Sequence, residues 1–309
     1  ENTEAFRLYE LGRYGRFSDR PGALDYLQKS INEDPRYALP YVELANIYVG
    51  LSGNGAADYQ KNAPLAQQAA AAALRLAPDL AESHVAAADV KRTIDRDFQG
   101  AARELDTAMR LNPGSAMVHA SRSILLEMQG DSGGALQEIR TAVRFDPFNR
   151  QYAEDLAWIL FCNRQYEEAV QWLDEFNSRD PRPHIDWNRF YCYMKLSRVP
   201  EAITLIEMEL KAQPSSKALK AALAHAYVLA ERSREAKELL KSVPENWGHY
   251  QRAVVDVALG DREAALAHLD QAVDERSVWI PWLKVDPDLE PLRGDPRFAK
   301  IVARVGLLP

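Results

Sequence analysis

Residues that could do chemistry are few in this chain, and their spacing argues against a catalytic centre. Gly130 to Gly134 spell GDSGG, the string that surrounds the nucleophilic serine of one large class of proteases. Acyl transfer by serine needs a histidine and a carboxylate held against it by a rigid frame. Here the string lies between two helix-patterned runs, MVHASRSILLEMQ and ALQEIRTAVRF, so it reads as the turn that joins them. The six histidines are scattered, and His84 and His119 have no cysteine or carboxylate at ligand spacing to complete a metal site. Asp286, Asp288 and Glu290 imitate the start of a calcium loop, but Pro291 stands where that loop turns on glycine. Cys162 and Cys192 show neither metal-type spacing nor a redox pair. The glycines from Gly50 to Gly55 lack the strand-to-helix setting of a phosphate cradle. The expectation is a protein with no catalytic residues, no metal and no cofactor, and not an enzyme.

Charge and hydropathy narrow the partners. The net charge is −7, and the one local excess of arginine, Arg7, Arg13, Arg16 and Arg20, is diluted by Glu10 and Asp19. Nucleic-acid binders usually carry a basic face, so none is expected to bind this segment. The longest uncharged apolar run, Ala221–Ala230, is ten residues and falls well short of the roughly 20 that span a bilayer. No membrane insertion is expected. The first residue is Glu1 rather than Met, which reads as processing or excision from a longer protein.

Any functional residues must be positioned by a repeat. An alanine stands twelve residues before each of Pro35, Pro78, Pro113, Pro147, Pro181 and Pro214: Ala23, Ala66, Ala101, Ala135, Ala169 and Ala202. The residue eight before each proline is also apolar, namely Leu27, Ala70, Leu105, Ile139, Leu173 and Ile206. These offsets share one helical face, and the proline cannot continue the helix. Successive prolines are 43, 35, 34, 34 and 33 residues apart. The long first interval holds GLSGNGAADYQKNAP (Gly50–Pro64), which reads as an extended turn inserted in the second repeat. Two further helix pairs follow Pro214, the last joined at Gly260-Asp261, and the pattern breaks near Ser277.

A period of 34 with small residues at fixed places and a closing proline resembles the tetratricopeptide repeat. The pentatricopeptide repeat has a similar length, but it reads RNA and would be basic. The expected fold is all-α, a right-handed α-α superhelix of about eight helix pairs over residues 1–276, with a capping segment over 277–309. Trp279, Ile280, Trp282 and Leu283 would lie over the raw apolar end of the array, with a homodimer contact through Trp279 and Trp282 as the rival use. Asp295, Pro296 and Gly306 suit the start and stop of one last helix.

The opening ENTEAFRLYELGRY, the glycine-rich insertion and the close SVWIPWLKVDPDLEPLRGDPRFAKIVARVGL are similar to one family of bacterial regulatory proteins. In that family such an array follows a winged-helix domain, a class III nucleotide cyclase or a Ser/Thr kinase, often with a membrane anchor and a TolB-like domain. The resemblance implies a sensory or scaffolding segment, placed outside the cytoplasm if such an anchor precedes it. It also implies that a protein or peptide partner lies along the wall built by the first helix of each repeat. Carried over residue by residue, that wall is Asn46, Asp89, Arg92, Glu127, Trp158, Phe161, Asn188, His225, Trp247 and Tyr250. Its C-terminal half is aromatic, as binding surfaces often are. The clamp by which some of these repeats hold a chaperone's C-terminal carboxylate is not expected. Asn46 fits it, but Val42, Ala86, Met117 and Ser121 do not supply its other groups. The alternative role is a structural spacer or dimerising arm.

Overall fold

The computed structural model describes residues 2–15, 19–54, 56–179, 187–244 and 248–307. Among these the regular structure is helical, and seventeen α-helices follow one another in pairs until the last. They are α1 (Thr3–Gly15) with α2 (Arg20–Glu33), α3 (Leu39–Leu51) with α4 (Ala56–Leu76), and α5 (Ala81–Val90) with α6 (Phe98–Leu111). Then come α7 (Ala116–Gln129) with α8 (Ser132–Phe145), α9 (Arg150–Cys162) with α10 (Tyr166–Arg179), and α11 (Trp187–Lys195) with α12 (Val199–Ala212). The series closes with α13 (Lys217–Leu229) and α14 (Ser233–Lys241), α15 (His249–Leu259) and α16 (Arg262–Asp274), and the single α17 (Pro296–Arg304). The chain divides into two compact units, Glu1–Leu125 and Leu126–Pro309, the division falling within α7.

The alanine clock is a packing device. Ala23, Ala66, Ala101, Ala135, Ala169 and Ala202 are all buried, at no more than 1% exposure, and the partners four residues on are buried too, at no more than 3%. A methyl group is what the neighbouring helix leaves room for, since interiors are close-packed. Gly12 on α1 shows the limit: a Cβ there would lie 2.6 Å from Leu27 Cγ on α2.

The turn inside each pair from α5–α6 to α15–α16 has its own chemistry. Arg96, Gly130, Arg164, Ser197, Glu231 and Gly260 all have φ between 58° and 89°. The next residue's N–H returns to a carbonyl one helical turn back, as in Asp131 to Leu126 (2.9 Å), Gln165 to Leu160 (2.9 Å) and Asp261 to Asp256 (2.9 Å). That is a left-handed helix stop. Aspartate then caps the next helix: Asp97 accepts from the Gly100 N–H, Asp131 from Gly134 and Asp261 from Ala264. GDSGG is one of these turns, with Ser132 Oγ donating to Glu127 Oε1 at 3.2 Å. In the N-terminal unit a second period ties each closing proline to the next helix. Its carbonyl faces Tyr41 Oη from Pro35 (3.4 Å), His84 Nε2 from Pro78 (2.8 Å) and His119 Nε2 from Pro113 (3.0 Å).

The insertion is not the extended turn that its glycines suggest. After α3 a short 3₁₀ turn, Ser52–Asn54, leads straight into α4, which at 21 residues absorbs Pro64. The extra turns of α4 lean on the end of α5. There the helix widens into a π turn, Lys91–Asp95, which stops at the left-handed Arg96. Tyr59 Oη donates to the Ile94 carbonyl at 2.9 Å, and Gln67 Nε2 to Asp95 Oδ1 at 2.6 Å. The added residues therefore tie the start of α4 to the backbone of the wider turn.

Beyond α16 the chain runs through two 3₁₀ segments, Ile280–Trp282 and Pro287–Leu292, before α17. Asp295 caps α17 by accepting from the Arg297 N–H, Pro296 stands at its first position, and Gly306 ends it at φ 82°. Helix α17 lies against α16 through Phe298 and Ile301. It is pinned by Arg297 on Glu263 (2.7 and 2.9 Å) and by Arg304 on Asp270 and Asp274.

Candidate functional site

In the C-terminal unit the segment from Trp279 to Leu292 lies on the first helices of the repeats, along the wall assigned above to a partner. Trp158 on α9 is the centre. Its ring stacks on Phe161 (centroids 5.3 Å apart) and meets Trp282 edge-on at 5.4 Å and Trp279 at 6.0 Å. Tyr191 on α11 closes the cluster at 6.1 Å from Trp158 and 5.8 Å from Phe161. Rings at such distances and tilts attract beyond the area they bury. Ile280, Leu283 and Leu289 are fully buried, and Trp282 keeps 8% exposure.

Polar contacts fix the register of this segment. Tyr250 Oη on α15 donates to Asp286 Oδ2 at 2.6 Å, and the Asp288 N–H donates to Asp286 Oδ1 at 2.8 Å. Lys195 at the end of α11 pairs with Asp288 at 2.5 Å and also reaches the Pro287 carbonyl at 3.2 Å. Arg164, just past α9, pairs with Glu290 at 2.9 Å, and Lys284 donates to the Gln129 carbonyl at 3.3 Å. Arg262 holds the Pro291 carbonyl at 3.2 Å. The three acidic residues that mimic a calcium loop thus point to three different helices or turns. Two buried donors beside them, Trp158 Nε1 and Arg293 Nε, have no partner among the described residues.

Burial shifts the acids of this region. Asp286 is pushed up to about 6, chiefly by loss of solvent and then by Asp288, against the bonds from Tyr250 and the Asp288 backbone. Desolvation also lifts Glu127 to about 7, although it accepts from Ser132 Oγ and, at 3.4 Å, from Asn163 Nδ2. The Tyr250 hydroxyl and the Cys162 thiol are raised by burial first and by nearby carboxylates second. His225 is held below the ordinary histidine value because its ring is buried. Burial disfavours the charged form of each group, which is why the acids move up and the histidine down.

The wall residues read from the sequence fall into three sets. In the C-terminal unit Tyr250 and the half-buried Trp158 contact the chain's own segment, Phe161 packs beneath Trp158, and Glu127 and His225 are buried. Asn188 donates to the Glu154 carbonyl at 2.9 Å, so it joins two first helices. In the N-terminal unit Asn46, Asp89 and Arg92 are part-exposed. There Arg92 Nη2 donates to Asp89 Oδ1 at 2.8 Å, and Ser121 Oγ donates to the same oxygen at 2.6 Å. Trp247 lies outside the described residues. The residues missed from sequence are Lys195, Asp286 and Asp288, whose signal was only an acidic run after two tryptophans.

The class is therefore a helical-repeat protein with a side-chain wall on its first helices. A family model for the tetratricopeptide repeat matches residues 95–150 and 129–182, so that stretch carries tetratricopeptide repeats. Among solved structures, a tetratricopeptide repeat protein from Parabacteroides merdae is 12% identical, with 98% of this chain and 99% of that one covered at a TM-score of 0.54. A thermophilic protein of the same repeat from Thermus thermophilus is 16% identical, covering 62% of this chain and 99% of its own at 0.50. A chain of an APC/C hetero-tetramer is 13% identical, with 98% and 46% covered at 0.50. At these identities the likeness shows the fold, an all-α solenoid of stacked pairs. No curated protein matches the chain.

Proposed function

We propose that this chain is a non-enzymatic interaction module that holds a peptide or protein segment along the first-helix wall of its N-terminal unit, around Asn46, Asp89 and Arg92. The repeat fold is consistent with a scaffold for protein–protein contact. The observation that carries the choice of unit is the use made of the other wall. In the C-terminal unit Trp158 and Tyr250 already hold the chain's own segment. In the N-terminal unit the polar trio of Asp89, Arg92 and Ser121 stands beside a π turn, a feature that recurs at functional positions.

Residues 277–309 act on this reading as the cap of a repeat array over 1–276, and α17 covers the last pair. The terminal strings similar to bacterial regulators support a sensory or scaffolding place beside a signalling module. Trp279 and Trp282 pack within the chain, so these two positions do not favour a dimerising arm.

The test is selection of random 15-residue peptides displayed on phage against the whole chain, followed by titration of the winners. Asn46→Ala combined with Arg92→Gln should weaken a selected peptide at least tenfold while the far-ultraviolet circular dichroism is unchanged. Undiminished binding by that variant would remove the wall from the account.

A further inference from the structure

We infer that the groove of the C-terminal unit is a receptor for aromatic–acidic peptide segments, and that residues 279–288 are its resident ligand, carried on the same chain. The inference rests on reading the first helices as partner walls.

Three features separate this segment from ordinary core. It runs across the helices as two 3₁₀ segments joined by turns, where the repeats are α-helical. It is recognised as peptide ligands are, by side-chain anchors plus contacts to main-chain carbonyls. Trp279 and Trp282 enter the slot made by Trp158, Tyr191 and Tyr250, and Lys195 and Arg262 hold the carbonyls of Pro287 and Pro291. Its acidic part is read by groups on two first helices, Tyr250 for Asp286 and Lys195 for Asp288.

The fit is also imperfect in a way a permanent core would avoid. The Asp286 carboxylate is buried with a phenol and one backbone N–H for partners, and the Trp158 indole N–H against Trp279 and Trp282 has no partner among the described residues. Unpaired buried donors weaken an assembly. A competing segment that supplies an acceptor to that indole gains a bond the resident lacks. The ligand class follows: two indoles three residues apart, a hydrophobic residue between or beside them, and a carboxylate four residues after the second indole.

The chain's own sequence is the probe. A fluorescent peptide with the sequence of residues 277–292 is titrated into the whole chain and into a Trp279→Ala, Trp282→Ala variant, which weakens the resident and leaves the wall intact. The variant should bind the peptide saturably and at least tenfold more tightly than the unaltered chain does. A peptide in which both acids are replaced, D286A and D288A, should lose at least tenfold. A variant of native helicity with no saturable binding, or one that binds the acid-free peptide equally well, overturns the proposal. So does a variant that sediments as a dimer, because a second copy then fills the groove. If the variant does not fold, hydrogen exchange on the unaltered chain decides. Amides of residues 279–292 should open at least tenfold faster than those of α15 and α16, and equal rates overturn the proposal. Every readout lies in the C-terminal unit, so failure here leaves the Asn46 and Arg92 test untouched.

Discussion

Glu127 carries the sharpest single-residue consequence. Its carboxyl is buried at the end of α7, where Ser132 and Asn163 donate to it, and burial raises its value from 4.5 to about 7. An acid raised on folding makes the native state bind the proton more tightly than the unfolded chain does. Its favourable contribution is complete below about 4.5 and is lost as pH rises through about 7. Between pH 5 and pH 8 that loss is on the order of 2 kcal/mol. Glu127→Gln should therefore flatten the pH dependence of unfolding over this window, read by urea titration at both values. A variant whose stability still falls as steeply as the parent's would contradict the assignment. Asp286 acts in the same direction, so mild acid should tighten the seat of the C-terminal segment. The sequence shows Glu127 as a wall position but not its burial, which depends on a turn and a helix start that only folding brings around it.

Two predictions concern elements. Ala169 on α10 is fully buried at the closest approach of its pair, so Ala169→Leu should cost about 1–3 kcal/mol, measured by chemical denaturation. A neutral result would mean that the alanine clock is not a packing constraint. Tyr59→Phe removes the hydroxyl that serves the Ile94 carbonyl in the π turn, and should cost about 1 kcal/mol with helicity intact. The alanine and proline periods made the pairs, their order and the final helix legible in advance, because close approach and chain termination leave marks in residue type. The insertion was misread for the same reason in reverse. Gly50, Gly53, Gly55 and Pro64 signal a turn, and the helix that forms instead is sustained by the alanine-rich run from Ala63 to Ala73 and by tertiary bonds from Tyr59 and Gln67. The π turn carries no local signature at all.

At the scale of the whole molecule, each unit uses the first helices of its repeats in a different way. In the C-terminal unit Trp158 is engaged by residues more than a hundred places away in sequence, a relation no period encodes, whereas the N-terminal unit keeps Asn46, Asp89 and Arg92 part-exposed. The measurement that bears most directly on this is a double-mutant cycle between Trp158→Leu and Trp282→Leu, read as unfolding free energies of the intact chain. Edge-on indoles with centroids 5.4 Å apart should give a coupling of about 0.5–1.5 kcal/mol, with the double variant less destabilised than the sum of the singles. Strict additivity would mean that the two rings do not meet, and that the groove of the C-terminal unit is not filled by the chain's own segment.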